Sequence, residues 1–96
     1  MAQAILINAF EVPAGRDDEF LAGWEVGKRF MERRPGYVST ALHRSLDPHA
    51  RFRYVNIAVW ESPEAFAAAV NDPEFVAYRE RVPFAHYPSV FTIVGG

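Results

Sequence analysis

An α+β fold, in which one antiparallel sheet carries helices on a single face, is predicted by three features of this chain. The first is the run Arg51–Ser62, RFRYVNIAVWES, rich in β-branched and aromatic residues and ended by Ser-Pro. Its side chains alternate between two faces, as in a strand. The second is punctuation by Pro, Gly and Asp, which parts the sequence into segments of period two and segments of helical period in the order β, α, β, β, α, β, with the second helix split. The third is the inequality of the two faces of the central run. Val55, Ile57 and Val59 make one face aliphatic, whereas Phe52, Tyr54, Asn56, Ala58 and Trp60 make the other aromatic around a single carboxamide. A strand of this kind packs on its dry side and lines a ligand cavity on the other.

The elements follow in order. Residues 3–12 alternate as a first strand, with Ile5, Ile7 and Ala9 on one face and Leu6, Asn8 and Phe10 on the other. Asn8 and Asn56 are therefore expected to share a surface. After Pro13-Ala14-Gly15 a helix begins, with Asp17, Asp18 and Glu19 near its positive end and Lys28, Arg29, Arg33 and Arg34 near its negative end. Phe20, Trp24, Gly27 and Met31 form its apolar stripe. Gly27 dents that stripe, either for packing against a bulky sheet residue or to admit a ligand.

Pro35-Gly36 ends the helix, and a second strand runs from Tyr37 to Leu46. In it Val38, Thr40 and Leu42 alternate with Tyr37, Ser39, Ala41 and His43 before Asp47-Pro48 turns into the central strand. Ser62-Pro63 and Asp72-Pro73 are two cap-and-proline starts, each opening a short helix, and Pro83 stops the second. On that helix Phe75, Tyr78, Arg79 and Val82 share an arc, which puts Arg79 on or beside the face that meets the sheet. It either meets an anionic ligand there or lays its stem over apolar surface with its head in water. A last strand is expected over about Ser89–Val94, with Pro88 before it marking a sheet edge.

This order is the ferredoxin-like arrangement. Helices cover only one face of such a sheet, so the aliphatic side, Ile5, Ile7, Val55, Ile57 and Val59, needs a second chain to cover it. Two sheets packed back to back give a twofold homodimer, with each aromatic cavity left between its own sheet and helices. Ninety-six residues make one domain, residues 1–96. A formal charge of -2 provides no global field for nucleic acid, and the charged residues interrupt any run long enough to span a membrane. There are no cysteines, and the apolar N-terminus lacks the basic flank of a signal peptide, so cytoplasm is the expected location.

The run PGYVSTALHRSLD, then YVNIAVWES after a short turn, and the opening FEVPAGRDDEFLAGW resemble the antibiotic biosynthesis monooxygenase family of dimeric α+β barrels. The likeness covers nearly the whole chain. It implies either a cofactor-free, quinone-forming monooxygenase or a haem-degrading relative, with isomerases and binding proteins also on the fold. Against the quinone-forming members, Asn56, Trp60, His43 and Arg79 match functional positions, while Phe66 replaces a phenolic tyrosine for which Tyr54, Tyr78 or Tyr37 could substitute. Against the haem-degrading members, Asn8 matches the first-strand asparagine. The helix position of their axial histidine, however, holds Arg79, next to Tyr78.

The chemistry also follows from residue types. Dioxygen reacts with an organic molecule without metal or flavin only when that molecule becomes electron-rich on deprotonation, as a phenol, anthrone or hydroquinone does. The protein must then supply a dry aromatic pocket and donors for the developing oxyanion, a role for the amide of Asn56, the indole of Trp60 and the guanidinium of Arg79, with His43 as base. Asn8, Phe10, Trp24, Tyr54, Phe66 and Tyr78 are the expected substrate contacts. Taken singly, a tryptophan such as Trp60 is more often core than catalytic, and Asn56 also fits a buried amide bonded to the backbone or to a neighbour. His43, His49 and His86 lie far apart in sequence with no carboxylate at ligand spacing, so no metal and no cofactor are expected. A non-catalytic binder using the same pocket is the competing reading.

Overall fold

The computed structural model describes residues 2–96. Its elements are β1 (Ala4–Glu11), α1 (Asp17–Met31), β2 (Tyr37–Arg44), β3 (Tyr54–Trp60), α2 (Pro63–Val70), α3 (Pro73–Glu80) and β4 (Ala85–Phe91). The four strands form one antiparallel sheet in the order β2-β3-β1-β4, the ferredoxin-like arrangement, with the helices on one face. Both predicted caps are made: the Ser62 side chain accepts from the Ala65 N–H, and that of Asp72 from the Glu74 N–H, with Pro63 and Pro73 leading their helices.

Directly paired residues of an antiparallel ladder point to the same side, so register assigns the faces. Phe10 pairs with Tyr54, Asn8 with Asn56, Leu6 with Ala58 and Ala4 with Trp60, and this face meets the helices. Phe10, Tyr54, Ala58, Ala4 and Trp60 are all buried there. Two clusters form the core: Phe10, Val12, Phe20, Tyr54 and Phe84 at one end, Ala4, Ala58, Trp60 and Ala69 at the other. The opposite face carries Ile5, Ile7, Val55, Ile57 and Val59, half-buried by their strand neighbours alone and covered by none of the chain's helices. Tyr87 and Phe91 extend this face onto β4 and are about half exposed, at 47% and 50%.

Two details depart from the sequence reading. The last strand begins at Ala85 rather than near Ser89, and Pro88 stands within it opposite Asn8. Pro88 does mark an edge, as expected, but an edge strand has a partner on one side only and so accommodates a proline in its interior. The second departure is a bulge in β2. Thr40 pairs with Ala58 and Ser39 with Val59, yet Tyr37 rather than Val38 faces Trp60. The extra residue reverses the alternation before it, moving Tyr37 to the helix-covered side.

Helix α1 is pinned to the sheet at its start. Asp17 Oδ2 accepts from Tyr54 Oη and from Arg53 Nε, the latter at 2.7 Å. The Tyr54 hydrogen bond first, and then the Arg53 bond, hold the Asp17 carboxyl below its usual value of 3.8. A carboxylate depressed in the folded state contributes stability above its unfolded value and loses it as pH falls through the folded one. The melting temperature should therefore decline with acidification below that usual value. Asp17→Asn should lower it at neutral pH and flatten the acid decline; thermal scans of both proteins across pH 2 to 7, roughly the range in which carboxylates titrate, check this.

Gly27 receives a neighbour from α3 rather than from the sheet. A Cβ placed there would stand 2.7 Å from Tyr78 Oη, and the phenol donates to the Gly23 carbonyl at 2.6 Å. Gly27→Ala gains about 1 kcal/mol of helix propensity but overpacks Tyr78 at a cost of about 1–3 kcal/mol. A net destabilisation on the order of 1 kcal/mol is expected, with displacement of Tyr78 visible in its ring resonances.

Candidate active site

Between the sheet and the helices lies a cavity of about 940 Å³. Its sheet side presents Asn8, Phe10, Thr40, Asn56 and Trp60; from the helices come Trp24, Met31, Phe66, Tyr78 and Arg79. Apolar walls with a few converging polar groups are the usual constitution of a small-molecule site.

The polar centre is the asparagine pair. Asn8 and Asn56 face each other across β1 and β3. Thr40 lies diagonally across from Asn56, whose direct β2 partner is Leu42, and the Thr40 hydroxyl donates to Asn56 Oδ1 at 2.9 Å. Asn8 Oδ1 is enclosed by protein without a partner among the described residues. With both carbonyl ends turned into the wall, the two amide nitrogens are the ends left for the cavity. Each brings N–H donors into an apolar space, where an electrostatic interaction is stronger than in water.

Trp60 is 1% exposed, with edge-on contacts to Tyr37 and Phe66 at 5.7 and 5.9 Å. Its Nε1 is enclosed and reaches no acceptor among the described residues, so in this arrangement the indole is a wall rather than a donor. Phe10, Trp24, Phe66 and Tyr78 all line the cavity, as expected of substrate contacts. Arg79 lies at its edge, exposed and in no ion pair among the described residues, with Lys28 and Arg81 also on the lining. Burial pushes the phenols of Tyr37 and Tyr78 above their usual value, keeping both neutral.

Two residues expected in the site lie elsewhere. Tyr54 is 2% exposed, stacked on Phe20 at 4.7 Å and bonded to Asp17, outside the cavity. It shares the correct sheet face, but α1 covers that end. His43 is exposed and pairs with Val55, which puts it on the aliphatic side. The odd-numbered residues of β2 beyond the bulge all face that way.

Thr40 and His86 line the cavity without having been assigned to the site from sequence, and Tyr37, offered there only as a substitute for the missing phenol, lines it too. His86 pairs with Phe10 across β4 and β1, and its ring nitrogen Nδ1 lies 3.0 Å from the Phe84 carbonyl. A carbonyl only accepts, so Nδ1 carries the proton and Nε2 of the neutral ring is an acceptor. Placing β4 from Ala85 would have revealed His86. Thr40 was missed because placing His43 in the site turned the alternate residues of β2, Thr40 and Leu42, away from it.

Residues 4–81 match the family model described as antibiotic biosynthesis monooxygenase. The chain is 39% identical over 80 residues to the heme oxygenase (mycobilin-producing) of Mycobacterium tuberculosis strain H37Rv, a match covering 77% of this chain and 69% of that protein. It is 34% identical over 76 residues to deoxynogalonate monooxygenase of Streptomyces nogalater, covering 79% of this chain and 62% of that one. Its fold superposes with a TM-score of 0.85 on a cofactor-independent oxygenase from Streptomyces nogalater, at 28% identity over 100% of this chain and 97% of the other.

Proposed function

Because this chain belongs to the antibiotic biosynthesis monooxygenase family, we propose that it is a monooxygenase that oxidises a planar phenol, anthrone or hydroquinone with dioxygen, using neither metal nor flavin. The observation that carries this reading is the pair of amide nitrogens from Asn8 and Asn56 left for an apolar, aromatic cavity. Fixed donors aimed at a ring oxygen favour its anion, and the anion is the form that gives an electron to dioxygen. With an anthrone, the ring carbon loses a proton and the enolate passes one electron to dioxygen. The resulting radicals combine into a carbon–oxygen bond, and the protonated peroxide loses water to leave a quinone carbonyl. One oxygen atom enters the product and the other leaves as water. Nε2 of His86 is the acceptor in the cavity for the first proton, the role expected from sequence of His43. Arg79, Lys28 and Arg81 lend positive charge to the lining.

We further infer that a second copy of the chain covers the aliphatic face, since Ile5, Ile7, Val55, Ile57 and Val59 have no helix over them.

Similarity to a heme oxygenase makes haem the second candidate ligand. The residues of α3 do not fit iron ligation. That helix holds no histidine, and the Tyr78 phenol is committed to the Gly23 carbonyl. Oxygen uptake and quinone absorbance with an anthrone, beside a haem titration, separate the readings. Stoichiometric oxygen consumption with quinone formation is expected. Tight one-to-one haem binding that is abolished in His86→Ala, with turnover to open-chain tetrapyrrole and none of the anthrone, would reassign the protein.

A further inference from the structure

We propose that Thr40 is a positioning residue that anchors the Asn56 amide by its carbonyl end and polarises its N–H groups, so that the cavity selects a deprotonated ring oxygen over the neutral phenol. This rests on the oxygenase reading above and extends it to a residue outside the expected site. The Asn56 side chain has a carbonyl end and an amino end of nearly the same shape, and sheet register alone does not decide which one meets the ligand. The Thr40 hydroxyl could serve either end, as donor to the carbonyl or acceptor from the amino group, and here it meets the oxygen, to which it can only donate. Donation from Thr40 Oγ1 to Asn56 Oδ1 at 2.9 Å holds the carbonyl against β2 and turns Nδ2 toward the cavity. The opposite rotamer would aim a carbonyl oxygen at a ligand oxyanion and repel it. Leu42, the direct partner of Asn56, has no group to hold either end, so the diagonal hydroxyl acts alone from β2.

Thr40→Val keeps the branched shape and strand preference while removing the donor; Thr40→Ser restores it. Turnover and the ionisation of a bound chromophoric phenol, 4-nitro-1-naphthol, are the readouts. The native protein should lower the apparent pKa of the bound naphthol. Thr40→Val should return it toward its solution value by about one unit and cut kcat/KM by about tenfold, with Thr40→Ser close to native on both. Lys28, Arg79, Arg81, Glu19, Glu74 and His86 are the charged or titratable groups on the cavity beside the neutral tyrosines, and all are shared by these variants, so the difference reports the one bond.

In an Asn56→Ala background, Thr40→Val should have no further effect on either readout, because its action passes through that amide. Thermal melts establish that each variant is folded, and Thr40→Ala replaces Thr40→Val if the latter is not. A bound-naphthol pKa equal in native and Thr40→Val proteins, or a Thr40→Val loss that persists undiminished without Asn56, would overturn the proposal and leave the oxygenase reading standing. A native protein that binds the naphthol without lowering its pKa would overturn both.

Discussion

Asn56→Ala is expected to lower turnover of a quinone-forming substrate by about a hundred- to a thousand-fold, the usual effect of removing one donor from an oxyanion site. The same change removes a single hydrogen bond, that from Thr40, at a half-buried position. Its effect on folding stability should stay near 1 kcal/mol. The two measurements together discriminate, because a packing residue shows the converse: stability falls and activity follows the folded fraction. Single-turnover kinetics with a denaturation curve on each variant supply both. A rate unchanged in folded Asn56→Ala protein, with chemistry rate-limiting, would remove the amide from the mechanism and favour a binding protein on the same fold.

Ile57→Asp should abolish dimerisation, folding, or both. Ile57 lies in β3 between Ile7 of β1 and Ala41 of β2, at the middle of the aliphatic face. In a twofold interface the substitution places one unpaired carboxylate from each chain in an apolar contact. The cost is on the order of several kcal/mol per ion, which a domain of this size does not absorb. Ile57→Val, which loses only a methylene, should cost about 1 kcal/mol and retain the dimer. Sedimentation velocity at micromolar concentration distinguishes the outcomes. A native protein that sediments as a stable monomer, or an Ile57→Asp protein with native sedimentation and melting, would mean that the face is not an interface between copies.

The sequence by itself determined the element order, the helix starts at Ser62-Pro63 and Asp72-Pro73, and the separation of an aliphatic from an aromatic sheet face. Each is a local property: capping needs residues a few positions apart, and a strand's two-residue period assigns faces wherever alternation is unbroken. Asn8 and Asn56 were placed together on those grounds. Register then put them directly opposite each other.

Only tertiary structure decided what interrupts or exploits that regularity. One extra residue in β2 turned Tyr37 toward Trp60. An edge position let β4 run through Pro88, which brought His86 into the cavity, while His43 faced the other way. Tyr54, on the correct face by alternation, was drawn to Asp17, thirty-seven positions away along the chain. The anchor of the Asn56 amide came from Thr40, a diagonal neighbour on the next strand. Pairing shifts, edges and cross-strand hydrogen bonds depend on residues brought together by folding, so period and propensity along the chain do not encode them.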